Sequence, residues 1–386
     1  MFQKIASFFL AVAVFAATDF SCFAALSEPT VSAESAIVFC ANTGEVLYEK
    51  DAYTKRAMAS TTKIMSALLA CESGRLADTV TVTQQMAQIE GTSMGLLAGD
   101  TVTIRGLVYG MLLSSGNDAA NTVAIALGGS VKAFVAKMNE KAEALGMKNT
   151  HFMNPSGLTE DGHYSTAYDM AVLAAAALQN EVFALICSSE EAVVYYGNPP
   201  YRRVLTNHNR LLSMYDGATG VKTGYTKAAG RCLVSSAQRD GITLIAVTLC
   251  APDDWNDHAA MLDYGFSISR TRSESLSLNN IAIPVVGGSA STVLAEAQAD
   301  FYVTDGAEWQ YTVYHTPFLY APASAGDVVG FVEIYTNERH LMRVPLYLSY
   351  GCERPVIPVK EDTSFMERLL EWIKEKIFFW KDYDES

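Results

Sequence analysis

Met58-Ala59-Ser60-Thr61-Thr62-Lys63 opens a run whose apolar members Ile64, Met65, Leu68 and Leu69 continue toward Gly74. With that glycine as the first stop signal, the run reads as a helix of about four turns. Its apolar residues fall on every face, which places the helix at the centre of a domain. Ser60 and Lys63 stand one turn apart, so the ammonium can reach the hydroxyl. Burial penalises the lysine's charge, and a lysine so treated can accept a serine proton near neutral pH. Taken alone, Ser-x-x-Lys is more simply an N-cap serine followed by a lysine reaching for solvent. The rest of the chain decides between the two.

The chain has 386 residues, enough for two or three domains with ample core. Its formal net charge of −14 argues against nucleic acid and against docking by a basic face on an anionic membrane. Lys4, the apolar stretch from Ile5 to Ala17 and the small residues from Ser21 to Ala25 read as a secretory signal over 1–24, cleaved after Ala24. That apolar stretch is short for a membrane span. The cysteines beyond it (Cys40, Cys71, Cys187, Cys232, Cys250 and Cys352) are even in number, but a chain this long needs no disulfides to fold. Cys71, Cys187 and Cys250 stand in apolar contexts that suit buried free thiols. Neither Cys-x-x-Cys nor His-Glu-x-x-His occurs and the histidines are scattered, so no metal or other cofactor is expected.

Ser35 to Tyr48 reads as a hairpin around Asn42-Thr43-Gly44. Short strands are expected at Thr79–Thr83 and Thr101–Ile104, with a loop carrying Gly91, Gly95 and Gly99 between them. Ser114-Ser115-Gly116-Asn117-Asp118 is a turn feeding an alanine-rich helix. Further helices are expected at about Val131–Leu145 and Thr166–Leu178. Strands at Cys232–Ala237 and Thr243–Leu249 precede a helix over Asp257–Tyr264 that packs back. This order describes an α+β domain over 25–272, a sheet with distant edges and helices on its faces. Composition shifts near Ser273, and 276–360 reads as a separate all-β domain of short strands. In the tail, 363–381, Phe365, Met366, Leu369, Leu370, Trp372 and Ile373 line one side of a helix. That suits a membrane surface better than a span, with docking on its own domain as the alternative.

Three motifs stand in one order: Ser60-x-x-Lys63, Ser115-Gly116-Asn117 and Lys222-Thr223-Gly224. Each alone is cheap (Ser277-Leu278-Asn279 repeats the second pattern), but their order at plausible element boundaries is specific. Here the chain resembles the penicillin-binding protein and serine β-lactamase superfamily, and within it the low-molecular-weight D-alanyl-D-alanine carboxypeptidases. The resemblance covers roughly residues 30 to 270 and includes Asn42-Thr43-Gly44-Glu45, His151-Phe152-x-Asn154-Pro155-x-Gly157-Leu158 and Gly220-Val221-Lys222-Thr223-Gly224-Tyr225-Thr226.

The resemblance implies a β-lactamase/transpeptidase-like fold and a serine DD-carboxypeptidase that removes the terminal D-alanine of peptidoglycan stem peptides and is acylated by β-lactams. Ser60 would be the nucleophile and Lys63 the base. Lys222 would lower the proton affinity of Lys63, Ser115 would relay a proton, and Asn117 would hold Lys63 or the substrate amide. Thr223 with Gly224, Tyr225 and Thr226 would bind substrate, with an oxyanion hole from the N–H groups of Ser60 and Tyr225. Two departures stand out. Met58 replaces a usual proline, and Ala251-Pro252-Asp253-Asp254-Trp255-Asn256 lacks an arginine that some members use for the substrate carboxylate. Anion recognition is then expected to lean on Lys222 and Thr223. A DD-endopeptidase or β-lactamase on the same scaffold, or an idle wall-binding scaffold, is the alternative, and no glutamate stands in an evident place to activate a deacylating water. His151 and His163 read as structural hydrogen-bond partners, while Asn207-His208-Asn209 suits either the cleft or a loop. The protein is expected outside the cytoplasmic membrane, at its outer face or in the wall, with its tail helix on the lipid surface.

Overall fold

A computed structural model of the chain describes residues 27–336, 339–355 and 365–381. The signal segment expected over 1–24 lies outside the described residues. The chain divides into two compact units. One reaches to Ser273 and takes in Phe301–Ala307; the other comprises Glu274–Asp300 and the residues from Glu308 onward.

The first unit opens with β1 (Ser35–Cys40) and β2 (Val46–Lys50), then a 3₁₀ turn at Ala59–Thr62 that runs into α1 (Lys63–Glu72). Next come β3 (Thr79–Thr81), α2 (Gln84–Ala87), β4 (Thr101–Thr103), α3 (Ile104–Leu112), α4 (Asn117–Gly128), α5 (Val131–Ala144) and α6 (Ala167–Leu178). After α7 (Glu181–Cys187) follow β5 (Glu191–Gly197), β6 (Pro200–Thr206) and α8 (Leu211–Met214). The unit's last elements are β7 (Ala218–Thr226), β8 (Gly230–Arg239), β9 (Ile242–Leu249) and α9 (Asp254–Ile268).

The principal sheet runs β2-β1-β9-β8-β7 and every pair in it is antiparallel. The β1–β2 hairpin turns through Gly44 at φ +70°, a conformation glycine adopts without steric cost. Alternate residues of each strand face opposite cores. Ile37, Phe39, Val234 and Val247 join a large core with α1, α3, α4 and α6, while Ala36, Val38, Leu233 and Ala246 join a smaller one with Met261 and Leu262 of α9. The expected sheet with helices on both faces is the one found. Its edge strand, β7, carries Lys222-Thr223-Gly224 and packs against the 3₁₀ turn that carries Ser60.

Two expectations need correction, and one stretch carried no expectation at all. Between Leu178 and Asn207 the structure holds α7 and the β5–β6 hairpin, which extends a small β3-β4-β5-β6 sheet. This hairpin leaves Val193, Tyr195, Tyr201 and Val204 exposed, so its hydrophobic pattern does not mark a clean inner face. The second unit's strands are not uniformly short: β10 (Thr271–Val286) has 16 residues and β11 (Thr292–Thr304) has 13. Only Leu276 and Ile283 are buried in β10, and a strand so polar carries little apolar alternation to read. Cys71 and Cys187 are buried as expected, but Cys250 is only half-buried.

In the second unit β12 (Trp309–His315), β13 (Leu319–Tyr320), β14 (Val328–Thr336) and β15 (Arg339–Leu348) complete a six-stranded sheet ordered β12-β14-β15-β11-β10-β13. A final helix, α10, spans Phe365–Lys381.

Candidate active site

The Ser60-x-x-Lys63 motif does not begin as the expected α-helix. Ala59–Thr62 forms a 3₁₀ turn without a side-chain N-cap, and α1 starts at Lys63. In a 3₁₀ turn side chains three residues apart eclipse one another, and Lys63 Nζ accordingly donates to Ser60 Oγ at 2.8 Å. The simpler reading, a capping serine and a solvent-seeking lysine, fails on both counts, since Lys63 is fully buried. Ala59, just before the serine, sits at φ +47°, a strained conformation for a residue with a Cβ.

Lys63 Nζ also donates to Asn117 Oδ1 at 2.7 Å and to the Ser156 carbonyl at 2.7 Å. An ammonium has three N–H bonds and these three acceptors use them all. A neutral amine would keep the bonds to Asn117 and Ser156 and turn its lone pair to the Ser60 hydroxyl, so the same geometry suits a proton acceptor. Burial holds the Lys63 amine well below the ordinary lysine range, and the Lys222 charge pushes the same way; Asp118 opposes them.

Lys222 lies on β7, fully buried, and burial lowers its ammonium to about 7. Its Nζ donates to the Thr223 carbonyl at 2.9 Å and to Thr223 Oγ1 at 3.5 Å. Gly224 lets the strand run close to the serine, because a Cβ there would stand 3.0 Å from Ser60 N and 3.1 Å from Ala59 Cβ. Ser115, at φ +57°, closes the turn before α4.

A cleft of about 280 Å³ opens over these groups, lined by Ser60, Thr92, Ser115, His208, Thr223 and Gly224, and further along by Tyr225, Arg231, Asp254 and Trp255. Lys63, Asn117 and Lys222 stand buried behind this wall. Thr226 is not on it: its hydroxyl accepts from Ala229 N at 3.0 Å in the β7–β8 turn. The Asn207-His208-Asn209 triplet divides its work. Asn207 ties to the carbonyls of Cys187 and Ser189, while His208 lines the cleft with burial and the Lys222 charge favouring its neutral form. His163 has its Nε2 2.9 Å from Thr62 Oγ1 and accepts from Met153 N at its Nδ1, and burial lowers it to about 4. His151 Nδ1 bonds the Gly162 carbonyl. Both are the expected structural partners.

Sequence reasoning passed over the supports. Asp118, fully buried at the start of α4, accepts from Ser93 Oγ and from the N–H groups of Met94, Gly95 and Leu96, and so fixes the loop beside Thr92. Asn154 Oδ1 accepts from Ser156 N, Gly157 N and Leu158 N, which sets the Ser156 carbonyl under Lys63. An Asp following a turn and an Asn-Pro before a glycine were the available signals, and both are common in loops without function. Arg231 and Asp254 carried no motif at all.

A serine on a strained turn, bonded to a desolvated lysine and walled by a β-strand edge, is chemistry for acyl transfer, and solved structures similar to this chain have that fold. A Streptomyces DD-transpeptidase is 34% identical with a TM-score of 0.61, over 63% of this chain and 100% of that one. The D-alanyl-D-alanine carboxypeptidase DacD from Francisella tularensis is 27% identical with a TM-score of 0.58, over 85% of this chain and 95% of that one. Residues 23–253 match the profile of the family described as D-alanyl-D-alanine carboxypeptidase, and the chain belongs to that family. Among characterised relatives, DacC of Escherichia coli is 31% identical over 95% of this chain and 94% of its own length. DacF of Bacillus subtilis is 41% identical over 62% of this chain, and the match spans 64% of that protein.

Proposed function

We propose that the protein is a serine D-alanyl-D-alanine carboxypeptidase that removes the terminal D-alanine of peptidoglycan stem peptides and is acylated by β-lactams. The observation that carries the reading is the bond between Lys63 Nζ and Ser60 Oγ at the floor of an open cleft, with Lys63 desolvated and under the charge of Lys222.

Ser60 Oγ attacks the carbonyl of the penultimate D-alanine as its proton passes to neutral Lys63. The N–H groups of Ser60 and Tyr225 receive the developing oxyanion, a contribution of about 10²–10³ in rate for one such donor. Ser115 passes the proton to the departing amine, D-alanine leaves, and water hydrolyses the ester to restore Ser60. Asn117 holds Lys63 in line throughout. Thr223, Gly224 and Tyr225 form the strand edge along which substrate lies, and Thr226 supports its turn.

Such a substrate places the working enzyme outside the cytoplasmic membrane. The tail helix α10 exposes Phe365, Met366, Leu370 and Trp372, and we assign it to the lipid surface at the outer face. The division into a catalytic domain over 25–272 and a β domain over 276–360 belongs to the same reading.

The test is intact mass of the protein after brief exposure to benzylpenicillin, beside D-alanine release from a diacyl-D-Ala-D-Ala peptide, with Ser60→Ala as the comparison. One drug molecule is expected on the wild type and none on the variant, which should release D-alanine at under about 10⁻³ of the normal rate. Wild-type activity in Ser60→Ala would end the proposal. Rapid drug hydrolysis without a lasting adduct would make the protein a β-lactamase.

A further inference from the structure

The cleft has a far end that the three motifs do not explain. Arg231 is the second residue of β8, directly across from Tyr225 of β7, and Thr223, two residues before Tyr225, lies on the same sheet face. The guanidinium is anchored from one side: its Nε donates to Asp254 Oδ1 at 3.0 Å and its Nη2 to the same oxygen at 2.6 Å. The Asp254 side chain is only 4% exposed, whereas that of Arg231 is 42% exposed. The Trp255 ring lies 5.6 Å from the guanidinium carbon. Among the described residues Arg231 Nη1 has no hydrogen-bond partner, and Arg231, Asp254 and Trp255 line the same cleft as Ser60 and Thr223. A cation held on one edge by a buried carboxylate, with the other edge open to a cleft, is a preorganised receptor for a second carboxylate.

Lys222 is the less suitable anchor that the sequence had suggested. Its ammonium is fully buried and turned to the Thr223 carbonyl. Burial also leaves it near the midpoint of its titration at neutral pH. Arginine keeps its charge at every working pH.

We propose that Arg231, positioned by Asp254 and Trp255, binds the C-terminal carboxylate of the substrate and so confers the carboxypeptidase preference for a free chain end. This rests on the acyl-transfer reading of Ser60. The scissile carbonyl and the terminal carboxylate of a D-Ala-D-Ala end are one residue apart. A peptide laid along β7 with its carbonyl at Ser60 therefore holds its carboxylate beside Thr223 and Tyr225, on the sheet face and in the cleft that Arg231 shares.

Two thioesters of an N-acyl-D-alanine test it, one whose leaving group ends in a free carboxylate and one with that carboxylate as its methyl ester. The wild type should prefer the acid in kcat/KM. Arg231→Gln should reduce that preference by roughly 10- to 100-fold, the worth of a charge-assisted hydrogen bond, with the ester rate within about twofold of wild type. Arg231→Lys keeps a cation for Asp254 but has a single nitrogen to share. It should fold normally and lose much of the same preference, which keeps the test open if Arg231→Gln does not fold. Equal losses on both thioesters, or no change in preference in either variant, would overturn the assignment and leave Arg231 a structural partner of Asp254. A wild type that turns over neither thioester while failing to bind penicillin would overturn the reading of Ser60 as well.

Discussion

At Gly157 a Cβ would stand 1.9 Å from the Ala59 carbonyl oxygen and 2.9 Å from Ser60 N, and the backbone there has φ +90°. Both neighbours are main chain and cannot swing aside, so alanine at this position must displace the turn that presents the nucleophile. Gly157→Ala is expected to lower the penicillin acylation rate at least about 100-fold, with a stability loss of about 1–3 kcal/mol for the strained backbone. Acylation kinetics beside thermal melting check this, and a variant acylated at the normal rate would show that Gly157 does not set the serine's position. Ser60, Lys63, Asn117 and Lys222, which the structure brings together, were legible because the proposed roles demand particular functional groups in a fixed order. Asp118, Ser156 and Arg231 were not, because each acts through three-dimensional neighbours: Ser156 contributes a backbone carbonyl that any residue possesses, and Asp254, the partner of Arg231, lies 23 residues away.

Among elements, legibility followed burial pattern. β1, β8 and β9 are buried along most of their length, and their positions were apparent from the sequence. The β5–β6 hairpin and β10 face solvent with mixed side chains, so local pattern could not separate them from loop. The 3₁₀ start of α1 was equally hidden: the residues suit either helix, and only packing against β7 and Gly157 selects the tighter turn. For α10 the sequence pattern and the exposed Phe365, Met366, Leu370 and Trp372 point the same way. Its other side carries Glu367, Glu371 and Glu375 among its charges, so in the proposed membrane role attraction to anionic lipid would not be the driving force, and insertion would come from apolar burial. The full chain is expected to float with zwitterionic phosphatidylcholine vesicles to nearly the same extent at low and high salt, and a chain ending at Glu361 to remain at the bottom of the gradient. Equal flotation of the two would remove the membrane role from this helix.

The molecule as a whole carries its buried ionisable groups as a pH dependence of stability whose sign can be worked out. Folding lowers Lys222 from 10.5 to about 7 and lowers Lys63 well below 10.5. From near pH 7 upward the unfolded chain therefore binds more protons at these sites than the folded one, and stability rises with pH by up to about 1.4 kcal/mol per unit for each lysine. His163 and His258, lowered from 6.5 to about 4 and about 3, act in the same direction between those values and 6.5. Asp254, raised by burial, opposes them only at the acidic end. The thiols of Cys71, Cys187 and Cys232 carry the reverse sign, since burial raises each from 9.0 to about 12. Above about pH 9 the unfolded chain loses these protons first, and three thiols outweigh two lysines. Urea unfolding under reducing conditions should therefore give a stability that climbs from pH 5, peaks between about 8 and 9.5, and declines beyond. Lys222→Met should be more stable than the wild type at pH 7, and its slope between pH 7 and 9 shallower by up to about 1.4 kcal/mol per unit. A wild-type profile flat from pH 6 to 9, or a Lys222→Met slope equal to wild type, would mean that Lys222 keeps an ordinary proton affinity in the folded protein. The like-charge assistance to Lys63 at neutral pH would then be larger than a half-charged Lys222 can give.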